Sequence, residues 1–238
     1  MGLTIHYSLT TEVAGLDAIR SLVGDMRDIA RQLPFQEVGD ILEYRDEECR
    51  TGKLDDEYRW LKIQAGRYVE GVAGFASVTP RHIVAFMALP GDGCEPANLG
   101  LCFYPASATC DRSKKKVRTN LTGWSWSSCC KTQYASLPDC GGVANFVRCH
   151  LAVITLLGAI RDRGLAKIEV SDESDYWDHR DVRKLAATVG EWNEMVAAVA
   201  GQIKDAAQGL QIAAPILKHP QFEHLEARGR DKQKKPTS

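Results

Sequence analysis

The chain has 238 residues, of which 44% are hydrophobic and 26% are charged, and its formal net charge is −1. A chain of this size and composition can bury a sizeable core, and it fits one large globular domain or two small ones. The near-zero net charge argues against an attraction of the whole surface to nucleic acid or to an anionic membrane.

The first residues and the cysteines predict a cytoplasmic protein. The chain starts with neither the basic region nor the apolar region of an export signal, and no apolar run approaches the roughly 18 residues of a membrane-spanning helix. We therefore expect a cytoplasmic location without membrane contact. In that setting the eight cysteines are expected to be reduced thiols, and the absence of a Cys-x-x-Cys pair makes zinc a less favoured cofactor.

Residue patterns in the first part of the chain predict two strands and a helix. Apolar and polar residues alternate over residues 3–9, which is typical of a half-buried strand. Apolar residues then recur at helical spacing over residues 16–33, and Pro34 ends the helix. Residues 35–44 are assigned to a second strand. The pattern over residues 54–69 fits either a strand or a helix.

The middle of the chain alternates predicted strands, polar loops and two long helices. Short apolar runs predict buried strands, alternation predicts half-buried strands, and helical spacing of apolar residues predicts amphipathic helices. The predicted strands are residues 82–89, 99–104, 122–134 and 165–170. The predicted helices are residues 142–163 and 182–203, and the predicted loops are residues 90–98, 105–120 and 171–179.

The C-terminal part is predicted to be mostly irregular. Residues 214–226 combine an irregular segment with one short helix, and residues 227–238 form a disordered basic tail. The sequence contains no internal repeat and no Gly/Ser-rich linker. We therefore predict a single α+β domain over residues 1–226, in which two or three long helices pack on a mixed, largely antiparallel sheet with a central meander.

Five short segments carry a resemblance. They are Ile-His-Tyr-Ser-Leu at 5–9, Pro-Gly-x-Gly-Cys-Glu-Pro-Ala-Asn at 90–98, Cys-Lys-Thr-Gln-Tyr-Ala at 130–135, Gly-Glu-Trp-Asn at 190–193 and His-Pro-x-Phe-Glu-His-Leu-Glu at 219–226. Together they resemble an uncharacterised family of bacterial proteins over nearly the whole chain. The resemblance implies a single bacterial domain, and it implies no activity, cofactor or partner.

The directions of the predicted strands bring three unusual loops to one end of the sheet. If the three central strands form a meander, loop 90–98 lies at the same end as the residues after Cys130. The next helix and strand return the chain to that end and deliver residues 171–179 there. If the first strand runs parallel to the last, residues 8–11 join them. Because open sheets commonly bind ligands beyond their strand ends, we expect a shared cleft at this end.

Polar side chains of these loops are the candidate ligand-binding residues. The cleft is predicted to be acidic, and its carboxylates suit Mg²⁺ or Mn²⁺, which prefer oxygen ligands, or a cationic substrate. The alternative is a solvated loop whose acids cap the following helix. Trp177 is included as a ring on which a ligand stacks. The candidates are Glu95, Asn98, Lys131, Gln133, Asp172, Glu173, Asp175 and Trp177.

Cys130 is a candidate nucleophile because it lies next to Lys131, and a neighbouring ammonium lowers the pKa of a thiol. His150 is its candidate base. Side chains alternate on a strand, however, so a buried structural thiol is the favoured interpretation of Cys130.

A basic segment runs from Arg112 to Arg118 and holds five basic residues in seven. Such a segment can contact phosphates, but a lone cationic loop is usually solvated. Nucleic-acid contact through this segment or through the C-terminal tail is therefore the less favoured alternative to a protein partner.

The sequence contains no motif of a nucleotide-binding fold or of a common hydrolase. We therefore predict an interaction or regulatory protein with a polar acidic cleft at one sheet edge. The alternative is a small-molecule enzyme, either a hydrolase or a transferase, with or without a divalent cation. The sequence leaves open whether the chain is an enzyme at all.

Overall fold

The computed structural model describes residues 3–52, 56–71, 74–110, 112–206 and 214–234. The strands in this part of the chain are β1 Thr4–Thr11, β2 Glu37–Val38, β3 Leu42–Arg45, β4 Arg67–Gly71, β5 Gly74–Val78, β6 His82–Leu89, β7 Ala97–Phe103, β8 Ser107–Thr109, β9 Lys116–Arg118, β10 Trp124–Lys131 and β11 Lys167–Asp172. The α-helices are α1 Leu16–Arg31, α2 Arg59–Ala65, α3 Gly142–Asp162, α4 Tyr176–His179, α5 Val182–Ala206 and α6 Phe222–Lys234.

One large antiparallel sheet organises these elements. Its strand order is β11-β1-β10-β7-β6-β2, and β3 also pairs with β6. All of these neighbours run antiparallel. The predicted α+β class is confirmed, and β6, β7 and β10 form the central meander. We call the end of the sheet where β6, β10 and β11 finish the upper rim, and the opposite end the lower edge.

The first strand runs opposite to its predicted direction. β1 lies between β10 and β11 and is antiparallel to both, with Thr4 opposite Lys131 and Ile5 opposite Asp172. The expected parallel arrangement with the last strand is therefore wrong, because β1 separates two strands that run the same way. As a result Thr4 lies at the upper rim, whereas residues 8–11 lead to the lower edge.

Helices α1 and α3 build the core together with the sheet. α1 packs on β6 and β7, and α3 packs on α1 and β11. The apolar stripe of α1 buries Ile19, Val23 and Met26, which join the sheet residues Phe86 and Trp126 in one cluster. Burial of each aliphatic side chain contributes about 1.5–3 kcal/mol, so this face of the sheet is firmly held.

The strands β1 and β11 have one buried side and one open side. On β1, Ile5 and Tyr7 are buried, whereas the residue between them is exposed. Alternation of this kind follows from the two-residue period of a strand. The exposed residues of the open side are His6, Thr10, Lys167, Glu169 and Ser171. Because His6 and Ser171 pair across the strands, the open side extends to the upper rim.

Helix α3 is long and apolar enough to cross a membrane by length and composition, although no such helix is predicted from the sequence pattern. Half of its apolar window is buried inside the fold, where Val153, Leu156 and Ile160 join the core. Burial of this extent is typical of the central helix of a globular domain. The helix is therefore weak evidence for membrane insertion.

Three segments differ in local structure from their predictions. Residues 105–120, expected to be a polar loop, contain the hairpin β8–β9, in which Lys114 has a φ of 56°. The described part of 54–69 is helix α2 followed by β4, and β4 pairs with β5. Residues 35–44 contribute to two short strands, β2 and β3, instead of one. The sequence pattern does not reveal the hairpin β8–β9, because a strand on the surface needs few apolar residues.

The basic C-terminal segment is helical as far as it is described. Helix α6 continues to Lys234, whereas residues 227–238 are predicted to be a disordered tail, of which the last four lie outside the described residues. Arg228 lies 2.9 Å and Lys232 lies 3.0 Å from the carboxylate of Glu194 on α5. These ion pairs join the segment to α5, so its basic side chains have partners on a neighbouring helix.

Candidate functional site

Hydrogen bonds join two of the predicted loops to the upper rim. The Glu95 N–H donates to the Lys131 carbonyl at 2.9 Å, and the Lys131 N–H donates to Glu95 Oε2 at 3.3 Å. At the neighbouring strand, the Glu173 N–H donates to the Thr4 carbonyl at 3.2 Å, and the Thr4 N–H donates to Glu173 Oε2 at 2.9 Å. The two loops thus meet the sheet at the same end.

The thiol of Cys129 is affected by both glutamates. Burial raises the pKa of Cys129, and the negative charges of Glu95 and Glu173 raise it further. His6 lies opposite Cys129 in the register of β1 and β10, and its Nε2 is 3.9 Å from Glu173 Oε1. We call Glu95, Lys131, Glu173, His6 and Cys129 the rim patch.

His6 and Cys129 are not among the predicted site residues. The prediction places residues 8–11 of the first strand at the rim, whereas the structure places Thr4 there. The signal for His6 is nevertheless in the sequence, since it lies between Ile5 and Tyr7 in the alternating strand and must face away from the core. Cys129 cannot be found without the register, because its side chain joins the patch only when β10 pairs with β1.

Asp172, a predicted site residue, belongs to a polar network inside the protein. His150 Nε2 lies 3.1 Å from Asp172 Oδ2 and 3.1 Å from Ser174 Oγ, and His150 Nδ1 lies 3.0 Å from Thr132 Oγ1. Ser174 Oγ donates to Asp172 Oδ1 at 2.8 Å, and the Trp177 N–H donates to Asp172 Oδ2 at 3.0 Å. The carboxylate and the imidazole therefore have partners at each polar atom.

Hydrogen bonding outweighs burial in setting the charge of Asp172. Burial by itself raises the pKa of this carboxyl, but the hydrogen bond and charge of His150, together with hydrogen bonds from Ser174, leave the pKa below its ordinary value of 3.8. Asp172 is therefore an ionised internal group that ties the end of β11 to α3.

The network contains the residue types of a hydrolytic triad, but its side chains are not accessible to a substrate. The side chain of His150 is 0% exposed and that of Asp172 is 1% exposed. Asp172 and Ser174 also contact the same ring nitrogen, whereas a triad places the acid and the nucleophile on opposite nitrogens. Thr132, on the other nitrogen, is buried as well. The network is therefore structural.

Asn98 and Gln133, two further predicted binding residues, are buried amides. Asn98 Nδ2 donates to Gln64 Oε1 at 2.6 Å, and the Asn98 carbonyl accepts from Trp126 Nε1 at 2.8 Å. Gln133 Oε1 accepts from the Leu3 N–H at 3.1 Å. Both side chains are used to join elements, and neither faces a ligand at the surface.

Trp177 and Asp175 lie in the loop after β11 and have partners within the chain. The guanidinium carbons of Arg161 and Arg180 lie 5.0 Å and 4.5 Å from the Trp177 ring centre. These cation–π contacts occupy the ring on which a ligand was expected to stack. Asp175 is exposed, and its carboxylate lies 3.6 Å from the Lys184 ammonium.

The cysteines are free thiols, and Cys130 is not placed to act as a nucleophile. It is fully buried, its Sγ donates to the Glu95 carbonyl at 3.2 Å, and burial raises its pKa well above the ordinary value. The candidate base His150 is engaged by Thr132 and Asp172 instead. Cys130 is therefore a buried thiol, which is the favoured interpretation of its sequence position.

Metal binding at the acidic rim has no geometric support in the described ranges. Within them, no group of three or more His, Cys, Asp or Glu side chains could hold a metal ion. The carboxylates that suit Mg²⁺ or Mn²⁺ by chemistry are too dispersed, because Asp172 is turned inward while Glu173 and Asp175 face solvent.

Cavities lie away from the rim patch. Four are prominent in the described part of the chain, and none of them is lined by a candidate residue. The most spacious of the four, about 670 Å³, opens at the lower edge and is lined by Arg81, Phe103 and Arg118 among other residues. The rim patch is a surface rather than one of these concavities.

Comparisons of the chain with protein-family models, with curated proteins and with solved structures found no match. The resemblance to a bacterial family therefore stays a prediction.

Proposed function

We propose that the protein is a cytoplasmic interaction protein without catalytic activity, and that the rim patch binds a basic segment of a partner protein. The observation that carries the proposal is that two loops on different strands each hold a glutamate at the upper rim: Glu95 Oε2 accepts from the Lys131 N–H at 3.3 Å, and Glu173 Oε2 accepts from the Thr4 N–H at 2.9 Å. The carboxylates come from loops attached to different strands, so the negative potential spans several strands. A potential of this kind attracts and orients a cationic partner.

The carboxylates of the patch are available to a partner because, in the part of the chain that the structure describes, neither Glu95 nor Glu173 pairs with a Lys or Arg side chain, although Glu173 lies 3.9 Å from His6 Nε2. In the described part of the chain, Glu95 forms no ion pair, and its Oε2 accepts only a backbone N–H. Lys131, whose backbone N–H donates to Glu95, holds its ammonium 4.9 Å from the centre of the Tyr134 ring. A partner's ammonium or guanidinium can therefore add hydrogen bonds to Glu95 without displacing an internal one.

The shape of the surface favours a protein over a small molecule. Small-molecule sites are usually concave, whereas the rim patch continues into the open side of β1 and β11. That side carries Ser, Thr, Lys and Glu residues, which is typical of the polar rim of a protein interface.

The test is peptide binding measured by fluorescence anisotropy at low ionic strength. The probe is a labelled peptide of alternating lysine and serine, and the same peptide with glutamate in place of lysine is the reference. We expect the lysine peptide to bind, and the substitutions Glu95→Gln and Glu173→Gln to weaken it two- to fivefold each, since exposed ion pairs contribute about 0.2–1 kcal/mol. Added salt should reduce the affinity further.

Glu12→Gln is the matched control. Glu12 is an exposed carboxylate just after β1 at the lower edge, and its loss should leave binding unchanged. Equal effects of Glu12→Gln and Glu173→Gln would show that only net charge matters, and failure of the wild type to discriminate between the two peptides would exclude the rim patch as a cation-binding surface.

A further inference from the structure

The hairpin β4–β5 exposes two aromatic rings on its outer face. Tyr68 is 78% exposed and Phe75 is 60% exposed. In the register Tyr68 pairs with Ser77 and Glu70 pairs with Phe75, so both rings project to the same side. The opposite side is buried, with Ala76 and Val78 almost inaccessible. Rings of this size are seldom left in water on a hairpin that has buried its other face.

A strongly basic hairpin lies directly beside these rings. Strand β5 packs against β8, and the Cys110 Sγ donates to the Gly74 carbonyl at 3.5 Å, one residue before Phe75. The turn after Cys110 closes through the Cys110 N–H, which donates to the Lys115 carbonyl at 2.9 Å. The basic residues of this hairpin are Arg112, Lys114, Lys115, Lys116 and Arg118, and all of them are exposed.

Within the described ranges the basic hairpin has no acidic partner. None of its five basic residues forms an ion pair with a carboxylate there, whereas Arg228, Arg230 and Lys232 of α6 do. Arg118 also lines the cavity at the lower edge, together with Arg81 and the partly exposed ring of Phe103. Strand β9 therefore joins its cationic side chains to a cavity of about 670 Å³ that also holds an aromatic ring.

We propose that β4–β5 and β8–β9 together bind single-stranded nucleic acid. Phosphates contact the lysines and arginines of β8–β9, and unpaired bases stack on Tyr68 and Phe75. A duplex hides the faces of its bases, so exposed rings favour a single strand. Glu70, directly opposite Phe75, opposes anionic headgroups and nucleic-acid phosphates alike, but only a nucleic acid offers bases that stack on the two rings. This site lies outside the rim patch and does not depend on the function proposed for it.

The electrostatic part of the inference is tested with a labelled oligothymidine of about 20 nucleotides, titrated by anisotropy at several salt concentrations. Removal of three charges by Lys114→Gln, Lys115→Gln and Lys116→Gln should weaken binding at least tenfold and reduce the slope of log K against log salt by about 2. The matched control removes three exposed cations elsewhere, by Arg163→Gln, Lys167→Gln and Arg183→Gln, and should change the affinity less than twofold.

The stacking part is tested with substitutions that keep apolar area but remove the ring. Tyr68→Leu and Phe75→Leu should each weaken oligothymidine binding five- to tenfold, while Tyr68→Phe should bind within twofold of the wild type. Both residues are exposed, so the thermal midpoint should not change. Equal binding by the leucine variants, equal binding of a duplex, or binding to phosphatidylserine vesicles without binding to the oligonucleotide would each overturn the proposal.

Discussion

Asp172 and His150 form an imidazole–carboxylate pair that the protein keeps away from water. Removal of one partner from a buried pair leaves the other without its charge complement, which is costly. We expect Asp172→Asn to lower the free energy of unfolding by about 2–4 kcal/mol, measured by urea denaturation. Asp175→Asn is the matched control, because Asp175 is an exposed carboxylate in the same loop, and should change stability by no more than about 0.5 kcal/mol. Similar losses in both variants would contradict the structural role of Asp172.

The stability of the fold depends on pH through Glu43, and the partners of Glu43 set the direction of this dependence. A hydrogen bond from Arg20, and further ones from Arg45 and His82, outweigh burial and lower its pKa from 4.5 to about 2. A carboxyl with a lowered folded-state pKa contributes stability above its unfolded pKa, and this contribution is lost as the pH falls through the folded value. The stability difference between wild type and Glu43→Gln should therefore be constant above about pH 5 and shrink between pH 4.5 and 2. A difference independent of pH in acid unfolding would refute this.

Whether a predicted site residue faces the core or the solvent depends on its position in the two-residue period of its strand. The sequence pattern predicts that the last strand ends at 170 and that residues 171–179 form a loop, whereas β11 continues to Asp172. Asp172 lies opposite Ile5, whose side chain is buried, so its own side chain turns inward, while Glu173 lies beyond the strand and stays exposed. Residue type at the rim can be predicted from sequence, but orientation cannot, because a shift of one residue exchanges the two faces.

At the scale of the element, the loop between β6 and β7 packs against Tyr134 through Gly93. Gly93 has a φ of 78°, and a Cβ there would lie 2.6 Å from the backbone carbon and oxygen of Tyr134. Gly93→Ala should therefore cost about 2–4 kcal/mol in chemical denaturation, from strain and from the clash together. Gly142→Ala isolates the strain, since Gly142 has a φ of 72° and open space around it, and should cost about 1–2 kcal/mol. Equal costs would mean that the close approach to Tyr134 is unimportant.

Elements with a strong apolar period could be predicted, and elements with a polar surface could not. The strand at residues 82–89 and the helix that starts at Leu16 are at their predicted places because burial imposes a clear pattern on them. The hairpin β8–β9 pairs Ser-Ala-Thr with Lys-Val-Arg on the surface, and three-residue strands with so few apolar residues are not distinguished from a loop by their sequence pattern. Tyr68 and Phe75 belong to a hairpin that sequence patterns do not reveal, and their exposure on one face is clear only from the pairing of β4 with β5.

At the scale of the whole molecule, charge is separated between the two ends of the sheet. The rim patch carries carboxylates, whereas the basic hairpin comes after β7 at the lower edge. A net charge of −1 averages these surfaces, so it excludes a uniform attraction to nucleic acid but says nothing about a local one. Composition could therefore predict a large core and residue patterns could predict the fold class, while the surfaces that we propose for binding arise from topology.

The central position of β1 has a consequence for how the chain is made. β1 is synthesised well before both of its neighbours, which are complete only after Lys131 and Asp172 have been made. Both edges of this strand stay open until then, and the sheet closes through contacts between residues far apart in sequence. Nascent chains of this protein are therefore expected to need shielding by chaperones that act on emerging strands until Asp172 has left the ribosome.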